Sequence, residues 1–141
     1  MCGIVGLFLK DKSMEPELGA MLTDMLITMT DRGPDSAGIA IYNHATEKKG
    51  KITVQSDAPD TDFNSLESEL EKQVKGDVNL RIQSTHAVLE LRADQMNSAR
   101  ALLKQLRPNL RVMSTGESLE IYKEVGLPKD VAARFDIKKM S

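Results

Sequence analysis

The sequence has one cysteine among its 141 residues, Cys2, and it stands directly behind Met1. Cysteine is small enough for methionine aminopeptidases to remove a preceding methionine, which would leave Cys2 as the N-terminal residue. That residue would carry a nucleophilic thiol beside a free α-amine, a group whose ordinary pKa is about 8. Because such an amine can take a proton from an adjacent nucleophile, Cys2 is a candidate nucleophile that needs no histidine partner.

The competing interpretation of Cys2 is structural. Free cysteine packs as a small hydrophobic residue, and buried, inert cysteines are common. The stretch that follows, GIVGLFL from Gly3 to Leu9, is typical of a short apolar strand. The two histidines, His44 and His86, fall in separate predicted turns and lack metal-ligand spacing, so we predict no metal and no cofactor. Position two alone therefore favours the structural interpretation.

A second stretch, DRGPDSAGIAIY, follows the first predicted helix and leads into a predicted strand. Taken alone, Arg32 could be a cation that binds carbonyl groups at the end of that helix. Gly33 and Gly38 could meet purely conformational needs. Neither this stretch nor Cys2 is decisive when considered alone.

Together, MCGIVG, a helix and RGPDSAG resemble the start of the class II, or N-terminal-nucleophile, glutamine amidotransferases. The resemblance covers residues 1–42 and implies a four-layer αββα sandwich of two antiparallel sheets between helices. It also implies that Cys2 attacks the side-chain amide of glutamine, which is hydrolysed through a thioester with release of ammonia. Arg32 matches the motif arginine, with a substrate-binding or site-organising role, whereas Asp35, Ser36 and Gly38 match positions that we expect to be structural.

A weaker resemblance returns near the end of the sequence, in LEIYKEVGLPKDVAARF. In the family, such a strand and helix lead to an arginine that holds the glutamine carboxylate, and then to an Asn-Gly oxyanion hole. Neither is present, and losing one oxyanion donor alone costs about 10² to 10³ in rate. We therefore expect the glutaminase domain to be incomplete in this chain, as a truncated reading frame, a split subunit or a fragment would be.

Two further functions compete with the glutaminase hypothesis. One is a non-catalytic regulatory or interaction subunit that keeps only the front half of the amidotransferase fold. The other is a different N-terminal-nucleophile hydrolase, which the Arg-Gly-x-Asp-x-x-Gly pattern disfavours. The resemblance is greatest to stand-alone amidotransferase subunits related to glutamate synthase, of the N-methylglutamate synthase type. It implies that a separate synthase subunit receives the ammonia.

The elements that must position these residues alternate between helix and strand, which indicates an α/β or α+β fold. Apolar residues spaced three and four apart predict a first helix over EPELGAMLTDMLITMTDRG, with Pro16 in its first turn. Its predicted inward stripe is Leu18, Met21, Leu22, Met25, Leu26 and Met29. A strand over 37–42 follows, and a strand over GESLEIYKEVG and a helix beginning near Pro128 are predicted towards the end.

The middle of the sequence predicts a separate module. Its order is strand, helix, strand, strand, helix, strand, with a helix capped by Asp62 and a hairpin with His86 at its tip. This is the βαββαβ order of a ferredoxin-like fold. We therefore divide the chain into residues 1–50 and 115–141, which belong to the amidotransferase domain, and an inserted module at 51–114.

Composition narrows the function classes further. The net charge is -2, from 19 Lys and Arg against 21 Asp and Glu, which disfavours nucleic acid or an anionic membrane as the main partner. A single cysteine excludes an intramolecular disulfide. The sequence shows no signal peptide and no apolar run of about 20 residues. We expect a cytoplasmic protein that has glutamine as its substrate.

Overall fold

The computed structural model describes residues 2–43, 45 and 48–141, so the predicted loop position of His44 lies outside the described residues. The fold is mixed α/β with two antiparallel sheets. The chain forms two compact units, one of Met1–Ile39 with Lys123–Ser141 and the other of Ala40–Tyr122.

The first unit contains two α-helices and several 3-10 turns. Its elements are a 3-10 helix Lys12–Glu17, α1 Leu18–Thr28, a 3-10 helix Thr30–Arg32, α5 Pro128–Arg134 and a 3-10 helix Ile137–Lys139. Pro16 lies inside the first 3-10 helix and not in the first turn of α1, so the α-helix begins later than predicted. The C-terminal helix is confirmed, with Pro128 in its first turn.

Helix α1 packs on the C-terminal 3-10 helix through its smallest residue. A Cβ built on Gly19 would lie 3.0 Å from the amide nitrogen of Met140 and closer still to the carbonyl oxygen of Ile137. Only a glycine allows the two backbones to approach this closely. Gly19 and Thr23 are therefore the buried residues of α1, whereas every member of the predicted Leu/Met stripe is only half-buried.

The N-terminal segment, residues 2–9, differs from its prediction. It is not a β-strand, because none of its residues is part of a ladder among the described residues. Its exposure nevertheless alternates, with Ile4 and Phe8 94% and 86% exposed while Val5, Leu7 and Leu9 are half-buried. The apolar pattern is thus that of a strand, but hydrogen bonding needs a neighbouring strand, which the pattern does not specify.

The smaller sheet contains β1 Ser36–Tyr42 and β6 Leu119–Val125. In β1, Ala37, Ile39 and Ile41 are buried and the residues between them are exposed, as expected for a strand with one covered face. Both strands were predicted from the sequence. Strand β6 is shorter than the predicted stretch GESLEIYKEVG and, unlike β1, it contains charged residues.

The second unit contains a four-stranded antiparallel sheet in the spatial order β3-β4-β2-β5. The predicted succession of strands and helices is present. Its elements are β2 Lys49–Gln55, α2 Pro59–Asp62, α3 Leu66–Val74, β3 Asn79–Gln83, β4 His86–Arg92, α4 Met96–Leu106 and β5 Arg111–Gly116. One face of the sheet and helices α3 and α4 enclose an apolar core that includes Ile52, Val54, Leu70, Leu89 and Leu103.

Two local predictions in this unit were wrong. Asp62 ends the short helix α2 and accepts a hydrogen bond from Ser56, so it does not cap α3, which begins after a left-handed Ser65. His86 is not at the hairpin tip. It is the first residue of β4, it pairs with Gln83 across a turn at residues 84–85, and its exposure is 0%.

Candidate functional site

Cys2 is exposed and unbridged at the start of the N-terminal segment. Its neighbour Gly3 is held against the end of the first helical region. A Cβ built on Gly3 would lie 3.2 Å from Cβ of Arg32 and 3.5 Å from its Cδ, and it would collide with the terminal methyl of Met29. The backbone beside Cys2 therefore lies directly on the aliphatic stem of Arg32, a contact that any side chain at position 3 would disturb.

Arg32 is the last residue of the 3-10 helix Thr30–Arg32 that follows α1. Its amide donates a 2.9 Å hydrogen bond to the carbonyl of Met29, which closes this turn. The residue is exposed, and within the described part of the chain no carboxylate forms an ion pair with its guanidinium. The stem thus supports the segment that carries Cys2, while the cationic end remains available to an anionic group.

The rest of the motif has a backbone role in this unit. The carbonyl of Asp35 accepts a 2.9 Å hydrogen bond from the amide of Gly126, and Ser36 begins β1. Gly126 has φ +135°, a conformation that favours glycine. The turn after Arg32 is therefore tied to the residue that follows β6, which agrees with the structural role expected for Asp35 and Ser36.

The second unit, Ala40–Tyr122, is called the middle unit below. It contains a group of polar side chains that sequence analysis did not identify. Glu120 on β6 is 3% exposed and accepts four hydrogen bonds. The donors are Lys51 Nζ at 2.8 Å, Arg81 Nη2 at 2.7 Å, the Tyr122 hydroxyl at 2.7 Å and Asn43 Nδ2 at 3.1 Å. We refer to these five residues as the Glu120 cluster.

Electrostatics in the Glu120 cluster follow from this bonding. Burial acts to raise the pKa of Glu120, but hydrogen bonds from Lys51, Tyr122 and Arg81 outweigh it and hold that pKa below its ordinary value. Burial and the adjacent Glu120 carboxylate raise the pKa of Tyr122, so this hydroxyl stays protonated and donates. Glu120 is thus a charged, hydrogen-bonded carboxylate, which is unsuited to act as a general base near neutral pH.

The Glu120 cluster lies on the sheet face opposite the apolar core of the middle unit. Lys51 on β2 alternates with the core residue Ile52, and its cross-strand partner is Glu90 on β4. The ring of Tyr122 lies 5.6 Å from that of His86, which is also on β4. Since its donors come from residues 43 to 122, no local motif marks this cluster. Its only sequence signal is the alternation of Glu120 and Tyr122 within a predicted strand.

Among the described residues, no group of three or more His, Cys, Asp and Glu could hold a metal ion. Likewise, no helix within the described ranges is both long and apolar enough to cross a bilayer.

Comparison with known proteins places these observations in context. No family model matches the chain. The chain is 57% identical over 140 residues to the "Glutamine amidotransferase-like protein GlxB" of Rhizobium meliloti, a match that covers 99% of this chain and 46% of that protein. It is 27% identical over 144 residues to a protein of Methanothermobacter thermautotrophicus named as a candidate glutamine amidotransferase, covering 96% of this chain and 47% of that protein.

The chain therefore spans about half the length of the curated relatives that it matches. Both relatives carry glutamine amidotransferase names, and the two matches cover 99% and 96% of this chain. This similarity supports a relationship to glutamine amidotransferases.

Proposed function

We propose that this chain is the front part of a class II glutamine amidotransferase domain in which Cys2 is the nucleophile. The observation that carries the proposal is the packing of Gly3 on the stem of Arg32, which joins the two halves of the resembling motif. Similarity to GlxB over 99% of the chain supports the same assignment. Under this proposal Arg32 organises the end of the site where Cys2 lies.

The proposed reaction begins with loss of Met1, which frees the α-amine of Cys2. The thiolate of Cys2 attacks the side-chain carboxamide carbon of glutamine, and the α-amine takes up the thiol proton. That proton is passed to the leaving nitrogen, the C–N bond breaks, and ammonia departs from a γ-glutamyl thioester. Water then attacks the thioester, which releases glutamate and restores the thiol of Cys2.

The fold assignments belong to the same proposal. We propose that residues 1–50 and 115–141 contribute to an N-terminal-nucleophile αββα sandwich. The residues between them would then be an inserted ferredoxin-like module. The βαββαβ succession and the sheet order β3-β4-β2-β5 support the second assignment, since this is the split βαβ arrangement. The relatives are about twice as long, and we place the glutamine clamp and the oxyanion donors in the part that they have in addition.

We propose further that the ammonia passes to a separate synthase subunit, as in the N-methylglutamate synthase type of enzyme, and that the reaction takes place in the cytoplasm. The partner assignment rests on the resemblance alone. It predicts that a tagged chain purified from its native extract brings down a stoichiometric synthase subunit. Recovery of the chain without such a subunit would contradict it.

The decisive experiment is an intact mass of the purified protein before and after 6-diazo-5-oxo-norleucine, a glutamine-mimicking alkylator. We expect loss of Met1 in the 141-residue chain and, in a chain extended to the length of the relatives, one adduct that maps to Cys2, with Cys2→Ser as the unreactive control. Iodoacetamide applied to a parallel sample shows that the thiol is accessible.

Retained Met1 would contradict the proposal, because the α-amine of Cys2 would then be blocked. That result would favour the non-catalytic regulatory or interaction subunit. Labelling by iodoacetamide but not by the glutamine mimic would show that these 141 residues do not form a complete glutamine site. The same measurement on a chain extended to the length of the relatives then tests the nucleophile.

A further inference from the structure

Strand β3 is an edge strand of the four-stranded sheet. It pairs with β4 on one side only, and the described residues place no strand on its other side. Such an edge exposes a row of unpaired backbone groups that can pair with another chain. The outward-facing groups of β3 therefore decide whether the middle unit can associate through this edge.

Two glutamates of α3 occupy this edge. The Oε1 atom of Glu67 accepts a 2.8 Å hydrogen bond from the amide of Leu80, and the Oε1 atom of Glu71 accepts a 3.3 Å hydrogen bond from the amide of Val78. Glu67 and Glu71 are one helical turn apart and therefore lie on the same face of α3. Leu80 is in β3 and Val78 directly precedes that strand, so the two amides are two residues apart, the spacing at which groups of an extended backbone point to the same side.

The next outward position on the edge, two residues after Leu80, is Ile82. Within the described residues no glutamate is hydrogen-bonded to its amide, and its side chain is 55% exposed. Leu80 and Ile82 lie opposite Leu89 and Ala87, so both belong to the sheet face that carries the apolar core. A second copy of β3, paired antiparallel, would place Leu80 opposite Ile82 and extend that apolar face.

We propose that Glu67 and Glu71 block self-association of this chain through β3. Their carboxylate oxygens take the amide positions that a second copy would use. The edge of β3 thus fits a second copy of the same strand, but the hydrogen bonds that Glu67 and Glu71 accept within the chain occupy it. This inference does not depend on the proposed glutaminase function.

The test compares the double variant Glu67→Ala/Glu71→Ala with the matched Glu67→Gln/Glu71→Gln, in the whole 141-residue chain. Glutamine keeps a carbonyl acceptor in the same place, whereas alanine removes it. In sedimentation velocity over a concentration series, we expect the alanine pair to associate at least about tenfold more tightly than the unmodified chain. We expect the glutamine pair to behave as the unmodified chain does.

A third variant assigns the surface. Ile82→Lys in the alanine background places a charge on the exposed edge position, and we expect it to reverse the added association. Association that persists in this variant, or equal association of the alanine and glutamine pairs, would overturn the proposal. So would an alanine pair that retains its far-UV circular dichroism and sediments as the unmodified chain does.

Amide exchange provides a readout that does not require association. At a concentration too low for pairing, we expect the Leu80 amide to exchange about tenfold faster in Glu67→Ala than in the unmodified chain, since one hydrogen bond is lost. The single variant keeps the Glu71 contact and replaces the double variant if the latter fails to fold. Unchanged exchange at Leu80 would show that Glu67 does not occupy this amide in solution.

Discussion

The middle unit and the N-terminal segment contain similar apolar residues in very different surroundings. Ile52 and Val54 on β2 have 0% exposure, whereas Ile4 and Phe8 in the N-terminal segment are 94% and 86% exposed. Strand β2 is central, with β4 and β5 hydrogen-bonded to its two sides. Residues 2–9 join no ladder within the described part of the chain. Burial thus depends on which elements are available to pack against, and less on the apolar pattern itself.

The two regions also differ in what they contribute: the middle unit contains the buried core, and the N-terminal segment contains the candidate nucleophile. The middle unit carries the enclosed apolar core and the buried Glu120 cluster, which are features of a structural framework. The candidate nucleophile lies at the start of the N-terminal segment, which forms no ladder among the described residues and in which Gly3 contacts Arg32 and Met29. Reactive residues on weakly packed segments over a rigid framework are a common arrangement, because loops and termini tolerate the geometry that a site requires.

Replacing one apolar side chain in each region should give the largest difference in the free energy of unfolding. Leu103→Ala removes a side chain that is 1% exposed in the core of the middle unit, and we expect a loss of about 2 to 5 kcal/mol in the free energy of unfolding. Phe8→Ala removes a larger but exposed side chain, and we expect a change within about 0.5 kcal/mol. Urea unfolding followed by circular dichroism measures both. A loss above about 2 kcal/mol in Phe8→Ala would show that this segment is packed in solution.

The Glu120 cluster gives a contrast that depends on pH. Because the folded protein holds the pKa of Glu120 below its ordinary value, the stability that this carboxylate contributes is present above the unfolded pKa of about 4.3. It is lost as the pH falls through the folded pKa. We expect Glu120→Gln to be about 2 kcal/mol less stable than the unmodified chain at pH 7.

That stability difference should shrink steadily as the pH falls below about 4, because protonation makes the two side chains alike in charge. Urea midpoints of both proteins from pH 3 to 7 provide the measurement. A difference that stays constant over this range would contradict the assignment of a charged Glu120. Glu117→Gln, the same substitution at an exposed glutamate, serves as the control for the change of side chain.

The smallest expected difference in stability is between substitutions at two glycines of the N-terminal segment. A Cβ at Gly3 would meet Met29 and Arg32, whereas one at Gly6 would have no atom within 4 Å. We expect Gly3→Ala to lower the free energy of unfolding by about 1 kcal/mol, since the flexible end of Met29 can yield but the stem of Arg32 must shift. We expect Gly6→Ala to be neutral or slightly stabilising.

Thermal unfolding and amide exchange over residues 3–9 distinguish these two glycine variants. Faster exchange in Gly3→Ala alone would confirm that the contact with Arg32 holds the segment beside Cys2. Equal behaviour of both variants would remove the structural link between Cys2 and Arg32.

Local pattern was sufficient for most elements of this chain. Strict alternation correctly predicted the hairpin of β3 and β4, and helical spacing correctly predicted α4. The same patterns predicted burial wrongly where contacts between distant segments determine which residues are buried. The Leu/Met stripe of α1 is only half-buried, whereas Gly19 is buried against the backbone of Ile137 and Met140, which are more than a hundred residues away.

The site residues also divide into those that a short motif identified and those whose roles depend on distant contacts. Cys2 and Arg32 were identified because each belongs to a short motif, and the structure brings the backbone beside Cys2 onto Arg32. Glu120 was missed because its partners Asn43, Lys51 and Arg81 lie 39 to 77 residues away along the chain. His86 was assigned to a turn because a polar residue beside a short connection is typical of one. Its burial depends on Tyr122, far along the sequence.

The sequence by itself determined most of the strands and helices, since backbone preference and side-chain periodicity act over a few residues. It did not determine whether residues 2–9 join a sheet, because that requires a partner strand. It also determined the candidate nucleophile and its motif arginine, because their chemistry resides in residue type and order. Only the tertiary structure decided which apolar residues are buried, which carboxylate is held charged and which strand edge is blocked. Each of these depends on contacts between segments that are distant in the sequence, and no local stretch of the sequence specifies such contacts.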